Sequence, residues 1–217
     1  MKRLLLILVA SFAIAGSASA TTYGFDCIAG TVQACGVGEA QLSADVTDSG
    51  GGTVTLTFHN VGSGTSSLTG VYLDTNIKFA ATSIAGGAGT DFKKKGSPKD
   101  LPGGGSVSFS DDYRFTAQKP KPANGVNVGE TLSIVLTLKA GTTYADVVSA
   151  LGNGSFRIGL LIADADPNCV GQSTAPACVG DPGVASFVNN PRPVPEPVAA
   201  LLGGVACIGL AVIGRRR

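Results

Sequence analysis

The sequence predicts a mainly β protein: an antiparallel β-sandwich with one short helix, set between an N-terminal signal helix and a C-terminal transmembrane helix. Three observations carry this. Short runs of alternating apolar and polar residues recur through the middle of the chain, separated by Gly, Pro, Asn or Ser clusters. Thirty-one glycines, no tryptophan and one methionine describe many turns and small side chains, as in an extracellular β-rich domain. Both ends, unlike the middle, are apolar blocks flanked by basic residues.

The elements follow in chain order. Met1, Lys2 and Arg3 precede an apolar block from Leu4 to Ala15, and Gly16-Ser17-Ala18-Ser19-Ala20 supplies an A-x-A site. That order of basic, apolar and small residues predicts a signal peptide over 1–20, with Thr21 as the mature start. A permanent anchor is the poorer reading, because about 12 apolar residues rising ~1.5 Å each cover ~18 Å of a hydrocarbon core ~30 Å thick.

Residues 21–190 are one domain's worth of chain, long enough to bury a core. Leu42, Ala44 and Val46 alternate within 41–48, and Val54, Leu56 and Phe58 alternate against Thr55, Thr57 and His59 within 53–60. Two antiparallel strands across the Asp48-Ser49-Gly50-Gly51-Gly52 turn are expected. Further strands are expected at 68–74, 77–84, 106–115, 131–138, 156–163 and 184–188, about eight in all, which argues for a sandwich. Thr143 can cap a helix from Tyr144 to Leu151, with Asp146 in its first turn and Gly152 as its stop, plugging one end of the sandwich. The glycine- and proline-rich stretch 86–105, which contains Lys93-Lys94-Lys95, reads as an exposed loop. Its lysines are expected to be solvated and to block edge pairing, ahead of binding anionic glycans or lipid headgroups.

Four of the five cysteines fall in this domain as two close pairs, Cys27 with Cys35 and Cys169 with Cys178. Four cysteines allow three connectivities, and local pairing is preferred because each pair closes a short loop rich in Gly or Pro. Zinc is disfavoured, since no pair has zinc-like spacing and His59 is the only histidine. The five basic residues of the two ends leave eleven in the rest of the chain against fifteen acids, a net charge of about −4 that argues against nucleic acid as a partner.

No constellation for catalysis is legible. No serine stands in a G-x-S-x-G elbow, no glycine run has phosphate-cradling spacing, and His59 sits on the polar face of its expected strand. Asp111-Asp112 and Asp164-x-Asp166 are the carboxylate pairs to weigh for glycoside cleavage, but Asp111 and Asp112, as neighbours along a strand, point to opposite faces unless a bulge intervenes. Asp164, Asp166 and Asn168 open like a calcium loop, which then fails at Cys169 and Ala175, leaving an irregular calcium site that Asp181 could join. No cofactor is otherwise expected.

The chain then passes through a proline-rich linker at 191–197, containing Val194-Pro195-Glu196-Pro197, into an apolar helix at 198–214 and a basic tail of Arg215, Arg216 and Arg217. Pro195 and Pro197 hold their segment extended, as a protease would grip it. The arginines orient the span with its end cytoplasmic and the domain outward. This constellation resembles the PEP-CTERM sorting signal of exported bacterial proteins. Within the domain, Asn124–Glu130, Tyr144–Val147, Phe156–Gly159 and Ser186–Asn189 look like blocks that recur in one group of those proteins.

The resemblance implies transport by the secretion machinery, transient membrane anchorage, cleavage at Val194–Pro197 by an exosortase-type membrane peptidase, and a final place at the cell surface or outside the cell. It also implies a host that makes extracellular polysaccharide. The expected role is structural or adhesive and not enzymatic. Two alternatives stand beside it: a polysaccharide-binding module using Tyr72, Tyr113 and the lysine loop, assisted by calcium, and a degenerate glycoside hydrolase.

Overall fold

A computed structural model describes residues 20–87, 89–96, 100–170 and 183–193, without the side chains of 166–170 and 190–193. The signal peptide up to Ser19, the Val194–Pro197 motif, the apolar tail with Arg215–Arg217, and Cys178 and Asp181 lie outside the described residues, as do the side chains of Asp166, Asn168 and Cys169. Among the described residues no helix is long and apolar enough to cross a membrane.

Among the described residues eleven strands form, all paired antiparallel: β1 Ala20–Gly30, β2 Leu42–Gly50, β3 Thr53–Asn60, β4 Gly64–Thr75, β5 Phe79–Gly86, β6 Phe92–Lys95, β7 Tyr113–Ala117, β8 Val126–Asn127, β9 Thr131–Leu138, β10 Phe156–Val170 and β11 Gly183–Pro193. The mainly β, antiparallel expectation therefore holds. The two packed sheets of a sandwich do not: one continuous sheet runs β5-β9-β3-β2-β1-β11-β10-β4-β7-β6, with β8 beside β4. A twisted sheet this wide curls on itself, and register shifts in β1 and β10 sharpen the bend. The product is a nearly closed barrel whose two free edges are β5 and β6.

Side chains, not backbone pairs, close the seam between those edges. Phe79 of β5 packs on Tyr113 at 5.4 Å between ring centroids, Lys94 Nζ sits 5.0 Å above the Tyr113 ring, and Lys78 pairs with Asp112 at 3.5 Å. Inside, the alternation read from the sequence is obeyed. Val54, Leu56 and Phe58 of β3 face Leu132, Ile134 and Leu136 of β9, all fully buried.

One end of the barrel is stopped by buried amides. Asn60 Nδ2 donates to the carbonyls of Ser66 and Val126, both at 3.0 Å, while its Oδ1 accepts from Gln41 Nε2 at 3.2 Å and Ser66 Oγ at 3.1 Å. Gln41 in turn bonds the backbone of Gly64 in both directions. Polar groups this deep persist because each finds a partner.

Among the described residues two α-helices form where the domain is expected to have one. The second, α2 (Tyr144–Asn153), is the expected one. Thr143 accepts from the Asp146 amide and the Asp146 carboxylate reaches back to the Thr143 amide, a reciprocal capping box. The helix runs past Gly152 and stops at Gly154, the residue with left-handed φ of 77°.

The first, α1 (Val32–Gln41), replaces the expected cysteine loop. Its cap was readable: Thr31 accepts from Ala34 N at 3.2 Å, and Ala34, Val37, Gly38 and Gln41 make the buried face. Two internal glycines hide the pattern, and one is required. A Cβ on Gly38 would lie 2.1 Å from the buried ring of Phe187 in β11. The Cys27–Cys35 disulfide ties this helix to β1.

The expected strand at 106–115 is mostly a strap. Leu101 to Asp112, including a 3-10 turn at Gly104–Val107, crosses the outer face of the sheet before β7 begins. Leu101 and Phe109 press Tyr72, Val188, Ile28 and Leu161 into a second apolar cluster outside the barrel. Gly159 makes room, since a Cβ there would meet Leu101 at 2.7 Å and Phe109 at 2.9 Å.

Candidate functional site

Alternation along four neighbouring strands sorts charge onto the outer face. In β7, Tyr113, Phe115 and Ala117 turn inward, so Arg114 and Thr116 turn outward. Cross-strand partners share a face. Lys95 and Lys93 of β6 therefore stand outward beside Arg114 and Thr116, and Tyr72 and Gly70 of β4 flank them on the other side. The expected loop at 86–105 thus contains a paired edge strand, and its lysine run does not act as one patch: Lys93 and Lys95 face out while Lys94 reaches the seam over Tyr113.

Tyr72 and Tyr113, weighed as one binding surface, lie on opposite faces, because Tyr72 opposes Arg114 and Tyr113 opposes Leu73. Tyr72 is buried. Burial raises its hydroxyl pKa, the Arg114 charge opposes that shift, and Asp111 adds to it.

Two arginines occupy this face and sequence reasoning passed over both. Arg157 of β10 is fully engaged. Its guanidinium pairs with Asp74, donates to the carbonyls of Val107 and Ser108, and lies 5.2 Å over the Phe109 ring, clamping the strap. Arg114 is the contrast: its Nε is buried with no hydrogen-bond partner. No ion pair within 4.0 Å engages it among the described residues, where the three pairs are His59–Asp45, Lys78–Asp112 and Arg157–Asp74. A signal existed, since Arg114 interrupts the run Tyr113 to Phe115 at the outward position of an alternating strand.

The carboxylate pairs do not converge. Asp111 is buried near Tyr72, whereas Asp112 caps a strand end, accepting from Thr75 N at 2.9 Å and pairing with Lys78. Asp164, Asp166 and Asn168 lie along β10 and not in a loop, and Asp164 occupies a left-handed conformation, φ 55°, at a register shift. Among the described residues no three His, Cys, Asp or Glu side chains gather as a metal site.

His59 stands half-buried on the outer face of β3, its Nε2 2.9 Å from Asp45 Oδ2, while Thr22 Oγ1 donates to Asp45 Oδ1 at 2.5 Å. The ring is bonded to a carboxylate and not to a serine hydroxyl, so the arrangement holds β1, β2 and β3 together. Cys27 and Cys35 form the local disulfide expected of them.

No protein-family model, no curated protein and no solved structure matches this chain.

Proposed function

We propose that this chain is exported, held transiently by its apolar tail, cut near Val194-Pro195-Glu196-Pro197 by an exosortase-type peptidase, and delivered to the cell surface or matrix in a structural or adhesive role. The observation that carries this reading is the tail: Pro-Glu-Pro, an apolar stretch able to form a transmembrane helix, then three arginines.

Three features of the fold support it. A cut before Thr21 takes only Ala20 from β1 and leaves Thr21, Thr22 and Tyr23 paired with Val46, Asp45 and Ala44 of β2. A disulfide between Cys27 and Cys35 is stable where the compartment is oxidising. The groups that catalysis would need are committed to scaffolding: His59 to Asp45, Asp112 to a strand end, and Arg157 with Asp74 to the strap.

The test is to replace Pro195, Glu196 and Pro197 together by alanine in the native host and follow the protein by fractionation. The wild type is expected outside the inner membrane and the variant retained in it. Equal partition of the two would remove the motif from the account.

A further inference from the structure

The geometry points to an oxyanion-binding site on the outer face of the β6–β7 hairpin, where Arg114, Lys95 and Lys93 take the acidic groups of an anionic polysaccharide. The first observation is charge placement. Seven of the eleven basic residues outside the terminal segments fall between Lys93 and Lys121, in a domain that is otherwise acidic. The register sets Lys95 directly opposite Arg114. Like charges in that position repel, so the row is at odds with itself until an anion joins it.

The second observation is independent of charge counting. Arg114 Nε is buried and has no hydrogen-bond partner. A buried donor left unmade is costly, and a guanidinium fork matches a carboxylate or sulfate bidentately. Arg157, on the same face, is satisfied by Asp74 and two carbonyls, so the fold can pair an outward arginine.

Neighbouring strands stand ~4.8 Å apart and Lys93 lies two residues, ~6.8 Å, along from Lys95. The three cations therefore form a short two-dimensional set suited to successive acidic groups on one polymer. The acids nearby are Asp111 beside Tyr72, Asp112 held by Lys78, and Asp91 just before β6. A membrane surface fits less well, because none of the exposed large apolar residues lies on β6 or β7. Nucleic acid fits less well too, because among the described residues this face has no exposed ring for a base to stack on, Tyr72 being buried. The extracellular setting of the polymer rests on the export reading above; binding in vitro does not.

The full-length chain in nonionic detergent would be titrated with polygalacturonate, whose acid is a carboxylate, and dextran sulfate. Neutral dextran, a single-stranded oligonucleotide and phosphatidylglycerol vesicles serve as comparisons. At about 0.15 M salt the wild type should bind one or both acidic polysaccharides and not neutral dextran. Arg114→Gln should weaken that binding about tenfold or more, as should the double variant Lys93→Gln/Lys95→Gln, whose side chains are exposed and whose folding is not at stake. Lys139→Gln, an exposed cation elsewhere, should leave it unchanged.

Equal weakening by Lys139→Gln would reduce the effect to net charge and overturn the site. Binding unaffected by the hairpin variants, tighter binding to the oligonucleotide or vesicles, or no binding to either acidic polymer would overturn it too. None of these results bears on where the tail is cut.

Discussion

Replacing Asn60 by leucine should destabilise the protein by about 3 kcal/mol, although the two side chains are close in size. Asn60 is fully buried and makes four side-chain hydrogen bonds at the end of the barrel. Leucine would strip the Asn60 donor from the carbonyls of Ser66 and Val126, and deprive Ser66 Oγ of its acceptor. Gln41 Nε2 would keep its bonds to Gly64 O and Ser66 Oγ. Two or three buried groups left short of a partner cost about 1–3 kcal/mol each, set against a favourable burial term for leucine of ~1–2 kcal/mol. A net ~3 kcal/mol lowers the melting temperature of a domain this size by about 6–12 °C. Urea unfolding followed by circular dichroism gives the free energy directly. A variant within about 0.5 kcal/mol of the wild type would mean that the amide cluster does not hold the barrel end together, and the reasoning would fail.

Gly38→Ala should destabilise by up to about 2 kcal/mol. A gain of up to ~1 kcal/mol in helix propensity is outweighed by overpacking of ~1–3 kcal/mol against Phe187, where the new Cβ would approach to 2.1 Å; a rise in urea midpoint would refute the close approach. Cys27→Ser/Cys35→Ser should cost about 2.5 kcal/mol, the loop-closure value for a sequence separation of 8, and an unchanged midpoint would show that α1 docks without the link. Stability should fall as the pH rises above about 10. Burial raises the pKa of Tyr23 and Tyr72, so the unfolded chain ionises first, and the contribution complete below the unfolded value is lost through the folded one. Tyr23→Phe should flatten that alkaline loss in urea titrations at about pH 8 and 11, and an equal loss in both proteins would contradict the assignment.

The strands that alternate cleanly were legible. β3 and β9 match their expected limits, because threonine and serine against valine, leucine and isoleucine leave no other period to read. Helix α2 was legible through Thr143 and Asp146. Three features escaped for physical reasons. Helix α1 carries Gly36 and Gly38 where propensity would place alanine, since packing on Phe187 overrides it. β6 hides in a lysine run because an edge strand needs one apolar anchor, Phe92, and charge elsewhere.

The single curled sheet escaped because eight alternating runs fit a sandwich as well as a barrel; what decides is which edges remain unpaired, a long-range property. For the same reason Arg114 did not stand out. The burial of its unbonded Nε depends on β4, β6 and β7 meeting, and local spacing does not record that.

The account rests most on how the chain is delivered, and the terminal peptides of the protein recovered from outside the native host's cells test this directly by mass spectrometry. The prediction is a form that starts at Thr21 and ends within or near Val194–Pro197, with Cys27 and Cys35 oxidised. Recovery of an extracellular form that still carries Arg215, Arg216 and Arg217 would contradict it.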